Sequence, residues 1–389
     1  MRTGYAIWGS ALSPFALKLR ALLEYAGIPY RWLPDDGTRL ENIRALLTIG
    51  RAKRARTIRR YPALNDLDEY PLVPLLLEPD GGVQYDSSAL ARWIDAQHRP
   101  DPGPCFPEEP ALGFVAQLID EAFDEFGLYM VHHNRWVLSA ATNNAGVRLA
   151  TEMRRVLPPG ARPVLARRFA RRQVRRLPYL FSVAPSEQRS DLAPQLRPPS
   201  REGFPATHAL LDEAWEETLA AVESILRVRS YVLGARFTVA DASVYGQLGM
   251  NLADRTAAER LQVLAPTTHA WLTAVNDGEH VGSTGGIELD ATLAPLLDVI
   301  GRTFVPLMQQ NERAYEDART RGETCFNERA FDRGRGLYEG TLGGRPYRAV
   351  VKTFQVRIWR DLRQAWMRLP DAARREVSAV LPLADAFGV

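Results

Sequence analysis

The stretch from Tyr70 to Asp95 reads YPLVPLLLEPDGGVQYDSSALARWID. Two apolar runs flank a Pro-Asp-Gly-Gly turn sequence, which predicts a β-hairpin with strands from Val73 to Leu77 and from Val83 to Tyr85. Asp86 is a strong N-cap residue, and apolar residues at helical spacing follow it. The stretch therefore predicts a hairpin and then a helix, whose unpaired N–H groups form a place to hold a carboxylate.

Pro74 stands at the entrance of the first predicted strand. Proline cannot donate a ladder hydrogen bond, so it belongs at the first position of a strand or at a special bend. The cis form of an X-Pro bond costs only about 0.5–1 kcal/mol, which a fold can lock in. A cis bond would turn the Val73 backbone outward and leave its N–H and C=O free to pair with an extended peptide.

Strand and helix signals upstream complete an α/β unit. Tyr5 to Trp8 predicts a strand, a helix follows from Pro14 and ends at Gly27, and Ile28 to Leu33 predicts the next strand. Strand, helix, strand, hairpin and helix form a thioredoxin-like arrangement. In that arrangement the functional site lies at the N-terminus of the first helix.

Val73-Pro74 before a strand, together with Asp86-Ser87 opening a helix, resembles the glutathione site of the glutathione S-transferase family. In that family the residue before a cis-proline pairs with the cysteinyl backbone of glutathione, and an Asp/Glu-Ser pair holds the γ-glutamyl end. The resemblance implies glutathione as the cofactor and a cofactor site made of Val73, Pro74, Asp86 and Ser87.

Ser13, in the sequence Ser13-Pro14-Phe15-Ala16, occupies the place where thioredoxin-like redox proteins keep a reactive cysteine. The segment resembles the Cys-Pro-Phe-Ala of omega-class transferases with serine substituted, and it aligns similarly with the catalytic serine of the zeta class. A thiol of pKa ~8.5 is only about 3% thiolate at pH 7, and a hydroxyl donor at a helix N-terminus lowers such a pKa. The resemblance thus implies Ser13 as the catalytic residue. The alternative is a cap only, and Ser10 is a less favoured candidate.

A proline-rich linker from Gln97 to Pro110 precedes a predicted helix from Ala111 to Leu138. In transferases the corresponding helix walls the pocket for the electrophile, although aromatic residues at helical spacing more often belong to a core. The candidates for substrate contact are Phe15, Tyr129, His133 and Trp136.

Further along, Thr238-x-x-Asp241 predicts a capping box, which in transferases starts the buried helix of the all-α domain and has a structural role. The resulting fold class is an α/β thioredoxin-like domain followed by an all-α helical domain, with a C-terminal α+β extension. We expect a thioredoxin-like glutathione-binding domain at 1–98, an all-α transferase domain with an Arg-rich insertion at 108–280, and the extension at 281–389. The extension should contain a hairpin from Leu337 to Val351 and a helix from Lys352 to Leu369, and it could cover the active site.

Two basic segments, Arg51 to Arg60 and Arg162 to Arg176, interrupt the resemblance. Solvated helix faces are the more common explanation for such segments. The first segment could instead supply a residue that meets the glycyl carboxylate of glutathione. The second could meet an acidic substrate, an anionic membrane surface or nucleic acid.

Composition excludes several classes of protein. The net charge is +3 over 389 residues, so the chain is not a polycation and no nucleic acid partner is expected. Cys105 and Cys325 lie far apart, which suggests a reducing compartment. We see no signal pattern, no apolar run of the ~20 residues a transmembrane helix needs and no metal-ligand spacing, so we expect a cytoplasmic protein without a metal.

These observations favour a glutathione-dependent transferase that activates the glutathione thiolate for attack on an electrophilic, largely apolar small-molecule substrate. A glutathione-dependent isomerase, lyase or ether-cleaving enzyme of a specialised pathway would use the same residues. The rival from another class is a non-catalytic binding or assembly protein that keeps the fold. A homodimer is expected from the family alone.

Overall fold

The computed structural model describes residues 4–60, 73–186, 191–382 and 384–388. The first three residues of the hairpin stretch and the end of the inserted segment between Asp35 and Tyr70 fall within 61–72. Those parts of the sequence predictions lie outside the described residues.

The N-terminal unit is thioredoxin-like, as the sequence predicts. Its four-stranded sheet has the order β2-β1-β3-β4, in which β1 pairs with β2 in parallel and the other two pairings are antiparallel. The elements are β1 (Tyr5–Trp8), α1 (Pro14–Tyr25), β2 (Tyr30–Leu33), α2 (Arg39–Ala55), β3 (Leu75–Leu77), β4 (Val83–Tyr85) and α3 (Ser87–Gln97). The hairpin and the helix that follows it are confirmed, with a first strand two residues shorter than predicted.

The inserted segment forms α2, a helix with a full capping box between Thr38 and Glu41. The first basic segment is divided by the end of this helix at Ala55. Most of its arginines lie on the exposed end of the helix, in agreement with the interpretation that the segment is a solvated helix face. After the helix the chain runs alongside β4. This path buries Arg60, which is 8% exposed, next to the start of α3.

The second unit is helical, and its first helix runs on through two π-helical turns, Phe123–Gly127 and Asn134–Leu138. Its α-helices are α4 (Pro110–Ala122), α5 (Leu128–His133), α6 (Ala145–Glu152), α7 (Ala161–Arg175), α8 (His208–Leu226), α9 (Val239–Leu248), α10 (Arg255–Leu264) and α11 (Pro266–Asn276). The predicted capping box is present: Asp241 accepts hydrogen bonds from the Thr238 amide at 2.9 Å and from its hydroxyl at 2.8 Å. Burial is the main reason why the pKa of Asp241 rises to about 6.

Helix α1 packs directly on α9, which fixes the two units against each other. Gly246 makes this approach possible, because a Cβ there would lie 2.7 Å from the Pro14 carbonyl oxygen and 2.9 Å from the Lys18 Cβ. The N-terminus of α1 is therefore held against the helical unit.

The C-terminal extension is α+β, in agreement with the expected fold class. It contains α12 (Ala294–Arg302), α13 (Phe304–Thr320), α14 (Glu328–Asp332), β5 (Leu337–Leu342), β6 (Arg345–Val350), α15 (Thr353–Arg368) and α16 (Asp371–Val380). Strands β5 and β6 form the predicted hairpin. Trp366 of α15 packs on Phe114 of α4 with ring centroids 5.3 Å apart, which ties the extension to the helical unit.

One helical stretch, Ala291–Thr320, is long and apolar enough to span a membrane by length and composition. In this fold 56% of its most apolar window is buried inside the molecule, and the core helix of a soluble protein meets the same criterion. The stretch is therefore weak evidence for a membrane span.

Candidate functional site

A cavity of about 230 Å³ opens where the three parts of the chain meet. The thioredoxin-like unit contributes Val73, Pro74 and the start of α3, and the helical unit contributes side chains from α4 to α5 and around Tyr179. The extension contributes Lys352, Phe354 and Gln355. The extension therefore forms part of the cavity wall, next to the residues that the sequence analysis proposes for the site.

Six of the nine side chains proposed from the sequence line this cavity. They are Phe15, Val73, Pro74, Asp86, Ser87 and Tyr129. The Val73-Pro74 bond is cis. The hydroxyl of Tyr129 accepts a hydrogen bond of 2.9 Å from the Gln355 amide, which joins the helical unit to the extension at the cavity wall.

Ser13 lies at the N-cap of α1, two residues before Phe15, and it is not one of the residues that line the cavity. Its hydroxyl oxygen accepts a hydrogen bond from the Ala16 amide at 3.4 Å, which is a long cap contact. A hydroxyl that accepts in this way keeps its own hydrogen available for another acceptor.

His133 and Trp136 lie away from this cavity. His133 is 1% exposed, with Nδ1 2.9 Å from the Ser182 hydroxyl and Nε2 3.3 Å from the Asp212 carboxylate. The residue lies one turn beyond Tyr129, where α8 already covers the helix. Trp136 is buried, and it lines a separate cavity of about 410 Å³ beside α6 and α7.

Asp86 joins the thioredoxin-like unit to the C-terminal extension electrostatically. One carboxylate oxygen caps α3 by accepting from the Ser88 and Ala89 amides at 3.1 and 3.2 Å. The other lies 3.0 Å from Nε of Arg60 and 3.6 Å from the guanidinium of Arg357 in α15. Both arginines come from segments that carry no such signal in the sequence, and both positions were missed.

A buried ionic network lies beneath the cavity. The Lys18 ammonium is fully buried and lies 2.5 Å from Asp120, 2.6 Å from Asp124 and 2.8 Å from the Ser88 hydroxyl. Burial alone would lower the Lys18 pKa, but the two carboxylates raise it above its usual value. Burial raises the pKa of Asp124 to about 7, although the Lys18 charge acts in the opposite direction.

Glu121 is a second buried acid in the cavity wall, with 7% exposure. Burial, and after it the neighbouring Asp120 charge, raises the pKa of the Glu121 carboxyl well above its usual range. The Arg357 charge acts in the opposite direction. Among the described residues no side chain forms a hydrogen bond or ion pair with it. The cavity therefore contains an acidic group that a bound cation would stabilise in its ionised form.

The side of the cavity formed by the helical unit and the extension is mainly apolar and aromatic, with Leu128, Leu180 and Phe354. The Lys352 ammonium lies 3.6 Å from the centroid of the Tyr179 ring. The sequence places Lys352 at the start of a predicted helix but indicates no role for it, because its neighbours in the fold are distant in the chain.

Metal chemistry has no visible donor set here. Within residues 4–60, 73–186, 191–382 and 384–388, no group of three or more His, Cys, Asp or Glu side chains could hold a metal ion. Both cysteines are free, Cys105 buried and Cys325 exposed.

Comparison with known proteins gives one family match, and no curated protein matches the chain. Solved glutathione S-transferases are similar at low identity. The one from Methylobacterium radiotolerans, in complex with glutathione sulfonate, is 21% identical over 74% of this chain and 99% of that one, with a TM-score of 0.36. The one from Ceriporiopsis subvermispora, in complex with glutathione, is 16% identical over 71% and 98%, with a TM-score of 0.41.

The family match concerns the part of the chain that forms the first wall of the cavity. Residues 12–97 match the model described as glutathione S-transferase, N-terminal domain. This range runs from just before Ser13 to the end of α3. The match therefore shows that residues 12–97 are similar to a glutathione S-transferase N-terminal domain, and it confirms the resemblance to the glutathione S-transferase family drawn from the sequence.

Proposed function

We propose that the protein is a glutathione-dependent transferase, which activates the glutathione thiolate for attack on an electrophilic, largely apolar small molecule. The observation that carries this proposal is the composition of one cavity. Val73, Asp86 and Ser87 line one side of it, within the family-matched domain, and an aromatic wall lines the other.

Glutathione would lie along the thioredoxin-like side of the cavity. The Val73 main chain would pair with the cysteinyl residue, and Ser87, at the positive end of the α3 dipole, would hold the γ-glutamyl carboxylate. Glu121 lines the same cavity and lacks a hydrogen-bonded partner among the described residues, so it would receive the γ-glutamyl ammonium. Asp86 would act by capping α3 and by holding the two arginines.

The proposed chemistry requires a thiolate near the start of α1. The Ser13 hydroxyl would donate a hydrogen bond to the sulfur while its oxygen accepts from the Ala16 amide. The thiol proton would pass to solvent, the sulfur would form a C–S bond with the electrophilic carbon, and the leaving group would depart with its electron pair. Isomerisation or ether cleavage would begin with the same thiolate.

The second substrate would occupy the aromatic side of the cavity, next to Phe15, Tyr179 and Phe354. Apolar and aromatic groups fit a wall of this composition, because binding there removes apolar surface from water.

We also propose, from the resemblance to the family, that the protein forms a homodimer and is cytoplasmic. The three domain limits given from the sequence are likewise proposals.

A non-catalytic binding protein is the second candidate, favoured by one observation: Ser13 is not among the residues that line the cavity. The test is the initial rate of conjugation of glutathione with 1-chloro-2,4-dinitrobenzene, compared between wild type and Ser13→Ala. We expect turnover in the wild type and a fall of at least tenfold in the variant, with glutathione binding retained. Glutathione binding without turnover of a panel of electrophiles would support the second candidate instead.

A further inference from the structure

We propose that the second substrate carries an anionic group, such as a carboxylate, that pairs with the Lys352 ammonium on the extension side of the cavity. The inference rests on the proposed function and narrows its substrate class to apolar or aromatic electrophiles with an acidic substituent. It makes Lys352 a specificity-determining residue supplied by the C-terminal extension.

Lys352 presents a positive charge at the cavity wall. Its ammonium lies 3.6 Å from the centroid of the Tyr179 ring, and both residues line the cavity. Across the described part of the chain, no carboxylate lies within ion-pair distance of this ammonium. A tyrosine ring attracts a cation but carries no net charge, so the lysine remains available to an anion.

The neighbouring cation has a different status. The Arg176 guanidinium lies 5.6 Å from the same Tyr179 ring, but its Nε is 3.0 Å from the Glu328 carboxylate. Arg176 therefore already has an ion-pair partner within the protein, although Glu328 also lies 3.3 Å from the Arg175 guanidinium. A substrate anion at Lys352 would therefore form an ion pair where the described residues provide none, whereas an anion at Arg176 would compete with Glu328.

The position of Lys352 favours the second substrate over glutathione. Tyr179, Leu180 and Phe354 surround the same side of the cavity and belong to the helical unit and the extension. The proposed glutathione contacts at Val73 and Ser87 come from the thioredoxin-like unit. An acidic group at Lys352 would therefore accompany the apolar body that the aromatic wall binds.

The test uses ligands that do not need turnover. Affinities of S-benzylglutathione and its 3- and 4-carboxybenzyl analogues are measured by calorimetry for wild type, Lys352→Gln and Lys352→Arg. The control is Arg368→Gln, which removes one exposed charge at the other end of α15. We expect at least one carboxylated analogue to lose about fivefold in affinity, relative to S-benzylglutathione, in Lys352→Gln only, a size typical of a solvent-accessible ion pair.

Three other outcomes are decisive. An unchanged affinity ratio in Lys352→Gln would overturn the inference and leave the proposed function standing. An equal loss for all three ligands, with the variant folded, would assign Lys352 to a glutathione group and would also overturn it. Failure of wild type to bind any of the ligands would remove the proposed function itself.

Discussion

The Arg357 guanidinium lies 3.6 Å from the Asp86 carboxylate, and each side chain is less than one tenth exposed. Asp86 caps α3, whose N-terminus lies at the proposed glutathione site, whereas Arg357 belongs to α15 of the C-terminal extension. The extension thus takes part in the electrostatics of the site. Its removal would uncover one wall and leave a buried carboxylate with less compensation.

Arg357→Met should lower both the stability of the fold and the affinity for glutathione. Removing one partner of a buried ion pair costs ~3–5 kcal/mol, and we expect about 2 kcal/mol here because Arg60 still faces Asp86. Chemical denaturation and calorimetry measure the two quantities. Arg368→Met, at the exposed end of the same helix, should change neither. Glutathione affinity equal to that of wild type in Arg357→Met would show that the ion pair does not support the site.

Lys18→Met should be among the most destabilising substitutions beneath the cavity. The Met side chain fills a similar volume but leaves the Asp120 and Asp124 carboxylates without their common cation. The expected loss is about 3–5 kcal/mol of unfolding free energy, measured by equilibrium denaturation.

A double variant supplies the control for this network. Lys18→Met with Asp124→Asn should recover part of the loss, since one of the two buried charges is then removed together with its partner. Strictly additive losses from the two substitutions would contradict a coupled network.

Glu121→Gln should weaken glutathione through its ammonium group. We expect about a tenfold loss of affinity for glutathione, because hydrogen bonds to charged groups contribute roughly 1.5–3 kcal/mol. Affinity for glutaryl-cysteinyl-glycine, which lacks the ammonium, should be equal in variant and wild type. Glu108→Gln, at an exposed position before α4, is the matched control. Equal losses for both peptides would remove this role from Glu121.

His208 should make the fold less stable in mild acid. Its pKa is lowered from 6.5 to about 3, mainly because the residue is buried and also because His133 lies next to it. Between those values the unfolded chain binds a proton that the folded protein does not, so the unfolding free energy falls as pH falls below about 6.5. The loss should reach about 2 kcal/mol between pH 7 and pH 5, at 1.36 kcal/mol per pKa unit.

The measurement is equilibrium denaturation of wild type and His208→Phe at both pH values. The stability difference between the two proteins should shift by this amount in favour of the variant at pH 5, because phenylalanine does not titrate. A difference that is independent of pH would mean that His208 titrates alike in the folded and unfolded states.

The thioredoxin-like fold could be predicted because its signals are local. A Pro-Asp-Gly-Gly turn, the N-cap at Asp86 and the capping box at Thr238 each specify structure within a few residues. The hairpin and the helix start after it also carry the family resemblance, which implies four of the six proposed residues that line the cavity, namely Val73, Pro74, Asp86 and Ser87. The boundary of the first hairpin strand differed by two residues, which is the usual uncertainty of element ends.

The electrostatic half of the site could not be predicted in this way. Arg60 and Arg357 reach Asp86, and Lys352 reaches the cavity wall, from segments distant in the chain. No spacing in the sequence therefore connects them with Asp86 or Tyr179. Glu121 belongs to a helix whose apolar pattern predicts core packing, and only the fold shows that one of its acidic residues faces a cavity. The family resemblance implies His133 as a pocket residue, because the corresponding helix of transferases walls the pocket, but α8 covers that turn of the helix.

The most direct test of the central claim is calorimetric titration of the wild-type protein with reduced glutathione and, in parallel, with cysteinyl-glycine. The proposed site predicts glutathione binding with a Kd between micromolar and millimolar. It also predicts no detectable binding of the dipeptide, which lacks the γ-glutamyl group that Ser87 and Glu121 would hold. Absence of heat and of any thermal shift with glutathione, or equal affinity for the two peptides, would contradict a glutathione site in this cavity.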